Sequence, residues 1–246
     1  MYENVNEAEA GRKNGPPISA TPLLKVAGSV LVFMLILSAW AWWKLPADAR
    51  VPVHWGLSGQ PDRYGSKLEA LGWAPLIVVA LTGLFLLVVR IEPRRLHVVA
   101  SRKPYLIIVA ATLVFLAAVH AFGVAAALGT RPNMNLLCSI GVGVLLAVIG
   151  NFMGKLRSNW FVGIRTPWTL SSECTWQRTH RVGGPIIVAT GLVWIMAGLL
   201  NVGLPGLYLA LGFTLVSAFG LVVYSYLVWR HAPDRETSDR HSSQAG

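Results

Sequence analysis

Charge is what this sequence has least of. Only 13% of its 246 residues are Asp, Glu, Lys or Arg, about half the share of an ordinary soluble domain. The charge that exists is one-sided, 21 basic against 11 acidic residues. No acid falls inside an apolar stretch, so the midplane carboxylates that proton relays and many transporters use are missing. Cysteine is nearly absent too. Cys138 and Cys174 stand at no metal-ligand spacing and build no disulfide framework. There is no H-E-x-x-H motif and no nucleophile set, no internal repeat, and no basic helix interleaved with aromatics of the kind that binds nucleic acid. No catalytic, metal or cofactor-binding residues are therefore expected.

Long apolar runs are what the chain does have. Hydrophobic residues make up 54%, and the mean hydropathy is +0.55. Six runs approach or exceed the roughly 18 residues needed to cross a bilayer: 26–43, 71–89, 104–128, 136–153, 185–202 and 207–229, the last two joined by a turn at 203–206. Lipid offers no partner to stray backbone groups, so continuous runs of this length read as helices. The predicted fold is an all-α polytopic membrane protein with six transmembrane helices. The first run is too long, and its polar leader too extended, for a cleaved signal peptide.

Basic residues set the expected orientation. Lys44, Arg50, Arg63, Lys67 and Arg131 fall on one side; the other 16 of the 21 fall on the opposite side. By the positive-inside rule both termini are cytoplasmic, in a bacterial cytoplasmic membrane. Trp40, Trp42, Trp43 and Trp73 then form an interfacial belt on the outside. The net charge of +10 reflects this topology and attraction to anionic inner-leaflet lipid.

The expected organisation is a flexible cytoplasmic tail over 1–21, a helix–loop–helix unit over 22–103 with an outer loop at 44–70, a four-helix unit over 104–230 with a cytoplasmic loop at 154–184, and a second flexible tail over 231–246. Small-residue seams at Ala117, Ala121 and Ala125, and at Gly150 with Gly154, suit close helix packing. His120 is the one ionisable residue deep in a span, and an interhelical hydrogen bond is its expected role. A small-solute or peptide transporter, the rival reading, would need more midplane polarity than His120 supplies.

Two loops carry the specific signals. The outer one reads VPVHWGLSGQPDRYGSK from Val51 to Lys67. Its glycines, a turn at Pro61-Asp62 and the β-like alternation up to Trp55 predict an ordered, compact cap. His54 and Asp62 are too few to hold a metal. The inner loop runs from Gly150 to Pro185. Ser171-Ser172-Glu173 predicts a helix start, and Gly183-Gly184 its end. The resulting short amphipathic helix would lie on the membrane surface, with Glu173, Trp176 and His180 on one face and Trp176 dipping into the interface. Glu173 and His180 are acid–base types without a nucleophile. Arg165, a planar fork suited to a carboxylate, is expected to pair with Glu173 or a helix C-terminus and to pin 159–180 as an inner platform.

The pattern Pro52-x-His54-Trp55-x-x-x-Gly59-x-Pro61-Asp62-x-x-x-Ser66-Lys67 resembles the DUF1648 domain of bacterial membrane proteins. Gly150-Asn151, Asn159, Gly163-Ile164-Arg165-Thr166-Pro167-Trp168-Thr169-Leu170, Glu173, Trp176, His180 and Gly184 together resemble the signature of the SdpI family. The resemblance implies a toxin-immunity membrane protein. It would meet a secreted toxin peptide at its outer face and recruit a winged-helix repressor to its cytoplasmic face.

Overall fold

The structure, a computed structural model, describes residues 19–235. The expected tails over 1–18 and 236–246 lie outside the described residues. Six helices are long and apolar enough to cross a membrane, and the chain is a polytopic all-α membrane protein. In chain order the elements are α1 (Thr21–Lys44), a hairpin of β1 (Arg50–Trp55) and β2 (Pro61–Ser66), α2 (Lys67–Ile91), α3 (Arg95–Ala100), α4 (Arg102–Ala127), α5 (Met134–Met153), α6 (Pro167–Ser171), α7 (Glu173–Leu199) and α8 (Gly203–Arg230).

The spanning helices turn apolar side chains outward as well as inward. Ile36 on α1 and Leu215, Val216 and Phe219 on α8 are among the most exposed side chains in the protein. Water would penalise such a surface, and lipid does not. Two groups of three helices pack side by side. In the first, Met34 of α1, Val78 of α2 and Leu113 of α4 close one core. The second comprises α5, α7 and α8, with α4 also packed on α5.

Glycine sets the tightest contact. A Cβ on Gly143 would lie 2.5 Å from the Gly191 carbonyl oxygen, and one on Gly150 would lie 2.6 Å from that of Gly184. The two pairs sit seven residues apart on each helix, so the backbones of α5 and α7 touch directly, as small residues permit in membranes. Gly154, expected in this seam, instead sits in the C-cap of α5, where a side chain has room.

That contact also explains a correction. Gly183-Gly184 does not end a helix: α7 runs unbroken from Glu173 through Pro185 to Leu199, absorbing the backbone bond that Pro185 cannot make. Neither glycine has positive φ. They are small because Gly183 meets Ile164 and Gly184 meets Gly150. The surface-lying helix therefore does not exist as a separate element, and Trp176 is fully buried rather than interfacial. The residues expected to form the last interhelical turn, 203–206, begin α8; the bend lies just before, at Asn201 with φ 48°.

His120 is buried and joins helices as expected. Ser38 donates to the Leu71 carbonyl, which leaves its oxygen to accept the His120 Nε2–H at 3.0 Å.

Candidate functional site

At one end of the bundle β1 and β2 pair antiparallel with irregular register near His54. Pro61 and Asp62, expected in the turn, lie in β2 instead. The tip is residues 56–60, closed by Gly56 N–H to the Gln60 carbonyl and Gly59 N–H to the Gly56 carbonyl. Gly59 has φ +76°, and its missing side chain leaves room for Asn135. The Asn135 amide donates to the Leu57 carbonyl at 3.3 Å, so the start of α5 holds the tip.

The exposed face of the hairpin carries charge. His54 Nδ1 lies 2.6 Å from the Asp62 carboxylate, and Arg63 bonds Glu69. Trp55 is half-buried beside them. Lys67 reaches the Leu45 carbonyl and lies 4.3 Å from the Trp42 ring centre. Trp40, Trp42, Trp43 and Trp73 are all exposed near this end, as an interfacial belt requires.

At the other end, residues 154–172 form a folded platform. Asn159 is its organiser. Its amide donates to the Arg157 and Val162 carbonyls, and its oxygen accepts the N–H groups of Phe161 and Val162, all between 2.7 and 3.0 Å. One buried side chain thus satisfies four backbone groups that no helix or strand serves.

His180 fixes the next residues. Its Nδ1 contacts the Trp176 carbonyl at 2.8 Å, and its Nε2 lies 3.0 Å from the Ile164 N–H. Only neutral imidazole with its proton on Nδ1 serves both contacts. The ring stacks on Trp176 with centroids 3.9 Å apart, and Trp176 Nε1–H donates to the Leu156 carbonyl at 2.8 Å. Gly163 crosses directly over both rings with φ +125°. No side chain fits there.

Thr166 and Thr169 cap α6 reciprocally, and Thr166 also bonds Ser225 of α8. Pro167 opens α6, while Trp168 lies 5.1 Å from the Tyr226 ring. Ser172 caps α7 through the Thr175 N–H, as the sequence predicts.

The expected ion pair is absent. Arg165 is exposed and donates to the Trp160 carbonyl at 2.9 Å; Glu173 accepts from Gln177. Glu173 and His180 do not form an acid–base pair, since both nitrogens of the buried ring are engaged with backbone. Asn151 is exposed on α5, outside the cluster.

The acid that matters is Glu92, a residue the motif reading passed over. It is 2% exposed, and its two carboxylate oxygens accept the N–H groups of Arg94 and Trp160. Arg94 donates to the Ser158 hydroxyl and the Leu170 carbonyl, His97 contacts the Ser158 carbonyl, and Ser101 accepts the Arg157 N–H. The connection from α2 to α4 therefore grips the platform. A Glu-x-Arg-x-x-His run just past a span was the available signal.

The start of the last segment is docked as well, contrary to the expected flexible tail from residue 231. Asp234 accepts from the Ser172 hydroxyl at 2.6 Å and the Cys174 N–H at 3.1 Å. Burial alone would raise its pKa, but these bonds and the backbone N–H groups of Asp234 and Glu173 outweigh it and lower the pKa.

Among the described residues, no three His, Cys, Asp or Glu side chains gather to hold a metal ion.

Residues 155–225 match the SdpI/YfhL protein family, and residues 30–79 match a domain of unknown function, DUF1648. The first range covers the platform, α6, α7 and most of α8; the second covers the hairpin and the adjoining parts of α1 and α2. The chain thus carries a segment similar to the SdpI/YfhL family and another similar to DUF1648. A stretch of 66 residues is 36% identical to the immunity protein SdpI of Bacillus subtilis (strain 168). That match covers 27% of this chain and 32% of the relative, so the chain spans about a third of the length of the curated relative it matches. No solved structure matches the chain.

Proposed function

We propose that this protein confers immunity against a secreted antimicrobial peptide or protein from within the bacterial cytoplasmic membrane. The observation that carries the reading is the 36% identity to a protein named for immunity. Both termini and the platform face the cytoplasm, because 16 of the 21 basic residues gather on that side. The hairpin then faces outward and meets the toxin, with Trp55, His54 and Asp62 as its contact residues. On the inside the exposed Trp160, Arg165 and Pro167 offer a surface to a transcriptional repressor of winged-helix type.

Toxin challenge of cells with and without the gene tests the central claim. Protection should follow expression; equal killing would remove the immunity reading. Orientation is tested separately in a background with Cys138→Ser and Cys174→Ser. Ser58→Cys and Ser171→Cys, both at exposed positions, should label from opposite sides with an impermeant thiol reagent. Labelling of Ser171→Cys from outside intact spheroplasts would invert the topology.

A further inference from the structure

A cavity of about 550 Å³ opens between the start of α1, the end of α2, α3 and the start of α4. Its walls are apolar: Leu23 and Leu24, Leu86 and Val89, Val98, and Leu106. Its rim is basic, with Arg90, Arg102 and Lys103. All three cations are exposed, and neither ion pair among the described residues involves them. Arg90 stands in the last turn of α2, Arg102 and Lys103 in the first turn of α4. The cations thus stand at helix ends, beside apolar side chains at the same ends (Leu23, Leu24, Val89) and one turn further into the spans (Leu86, Leu106).

We propose that this cavity is a binding site for an anionic phospholipid. The three cations take the phosphate and the apolar chamber takes part of one acyl chain. A soluble anion would need no apolar chamber, and a neutral lipid would gain nothing from three cations that have no carboxylate partner among the described residues. A basic pocket between helix ends is the form such sites take, and the volume suits one small amphiphile. Residues 1–18, which precede α1 and contain Glu3, Glu7 and Glu9, are the rival occupant.

The full-length protein, reconstituted in nanodiscs containing phosphatidylglycerol and phosphatidylcholine, tests this by native mass spectrometry of co-purified lipid. Phosphatidylglycerol should be retained selectively. Retention should fall roughly fivefold for each cation removed by Arg90→Gln, Arg102→Gln or Lys103→Gln. Arg178→Gln with Arg181→Gln, which removes two cations elsewhere on the same side, should leave it unchanged. Leu86→Trp fills the chamber with every charge intact and should also release the lipid. Deleting residues 1–18 should leave retention unaltered; a gain on deletion would make that segment the occupant and overturn the proposal. Equal loss from the Arg178/Arg181 control, or no loss from Leu86→Trp, would reduce the effect to surface charge and overturn it too. Should a variant fold poorly, a photoactivatable phosphatidylglycerol added to the unaltered protein decides the matter: its crosslinks should map to 19–24 and 86–106 and not to 154–181.

Discussion

The hairpin and the platform cap opposite ends of one bundle, and they are held together by different means. In the hairpin, backbone pairs with backbone, and the His54–Asp62 pair sits largely in solvent, while Arg63 reaches out to a half-covered Glu69. In the platform, buried side chains do the pairing: Asn159, Glu92, His180 and Thr169 each satisfy backbone groups that have no ladder to join. A backbone ladder tolerates exchange of its exposed side chains. A cluster built on single buried side chains does not, because each deletion strands several polar groups at once.

The largest expected effect follows from that contrast. Asn159→Ala removes four hydrogen bonds and leaves buried donors and acceptors unpaired, and should cost about 3 kcal/mol, read as a lowered midpoint of thermal unfolding in detergent. Asn159→Asp keeps the two accepted bonds and loses the two donated ones, and should fall between. If both variants melt like the parent, the platform is not organised by this side chain.

Asp234 comes next. Asp234→Ala should cost about 1 kcal/mol, the scale of a lost helix cap. Its folded pKa lies below the ordinary carboxyl value, so its contribution is complete above the unfolded pKa of about 3.9 and is lost as pH falls through the folded pKa. The parent should therefore lose stability over that acid range more steeply than Asp234→Ala. Parallel pH curves would show that the carboxylate does not cap α7.

At the hairpin the changes should be smaller. Asp62→Ala breaks an exposed pair worth about 0.5 kcal/mol or less and should leave abundance and melting nearly unaltered. Protection against toxin is the sharper measurement there: Trp55→Ala should insert normally and protect poorly, and full protection by that variant would remove the hairpin from toxin contact.

The smallest effect is a coupling of nearly zero. Arg165 and Glu173 bond to different partners, so Arg165→Ala and Glu173→Ala should add in a double-mutant cycle. A coupling above about 0.5 kcal/mol would restore the ion pair.

What could be read from the sequence divides along the same line. Six spans, an ordered loop at Val51–Lys67 and the cap at Ser172 are local signals, written in run length, alternation and residue type, and the structure carries all three. Gly183-Gly184 and Glu92 were misread because their contacts join distant segments, and Arg165 because a nearer partner takes it up. Gly183-Gly184 has the local form of a helix end, yet α5 lies against it and makes it a packing seam. Arg165 and Glu173 are close in sequence, but Arg165 is taken up by the loop's own Trp160 carbonyl. Glu92 is 68 residues from Trp160, a separation at which no spacing rule operates.

One further consequence concerns how the protein can be taken apart. The DUF1648 match and the SdpI/YfhL match fall on separate stretches of chain, which invites swapping one against the other. The fold ties each to the segment between them at one rim: Leu57 of the DUF1648 match to Asn135 at one end, and Glu92, Arg94, His97 and Ser101 to residues 157–170 of the SdpI/YfhL match at the other. A crossover anywhere between residues 102 and 134 cuts neither seam visibly, yet it pairs each half with a stranger at two places about a membrane thickness apart. Chimeras between this chain and a relative should therefore work only when both rims are transplanted with the helices they join.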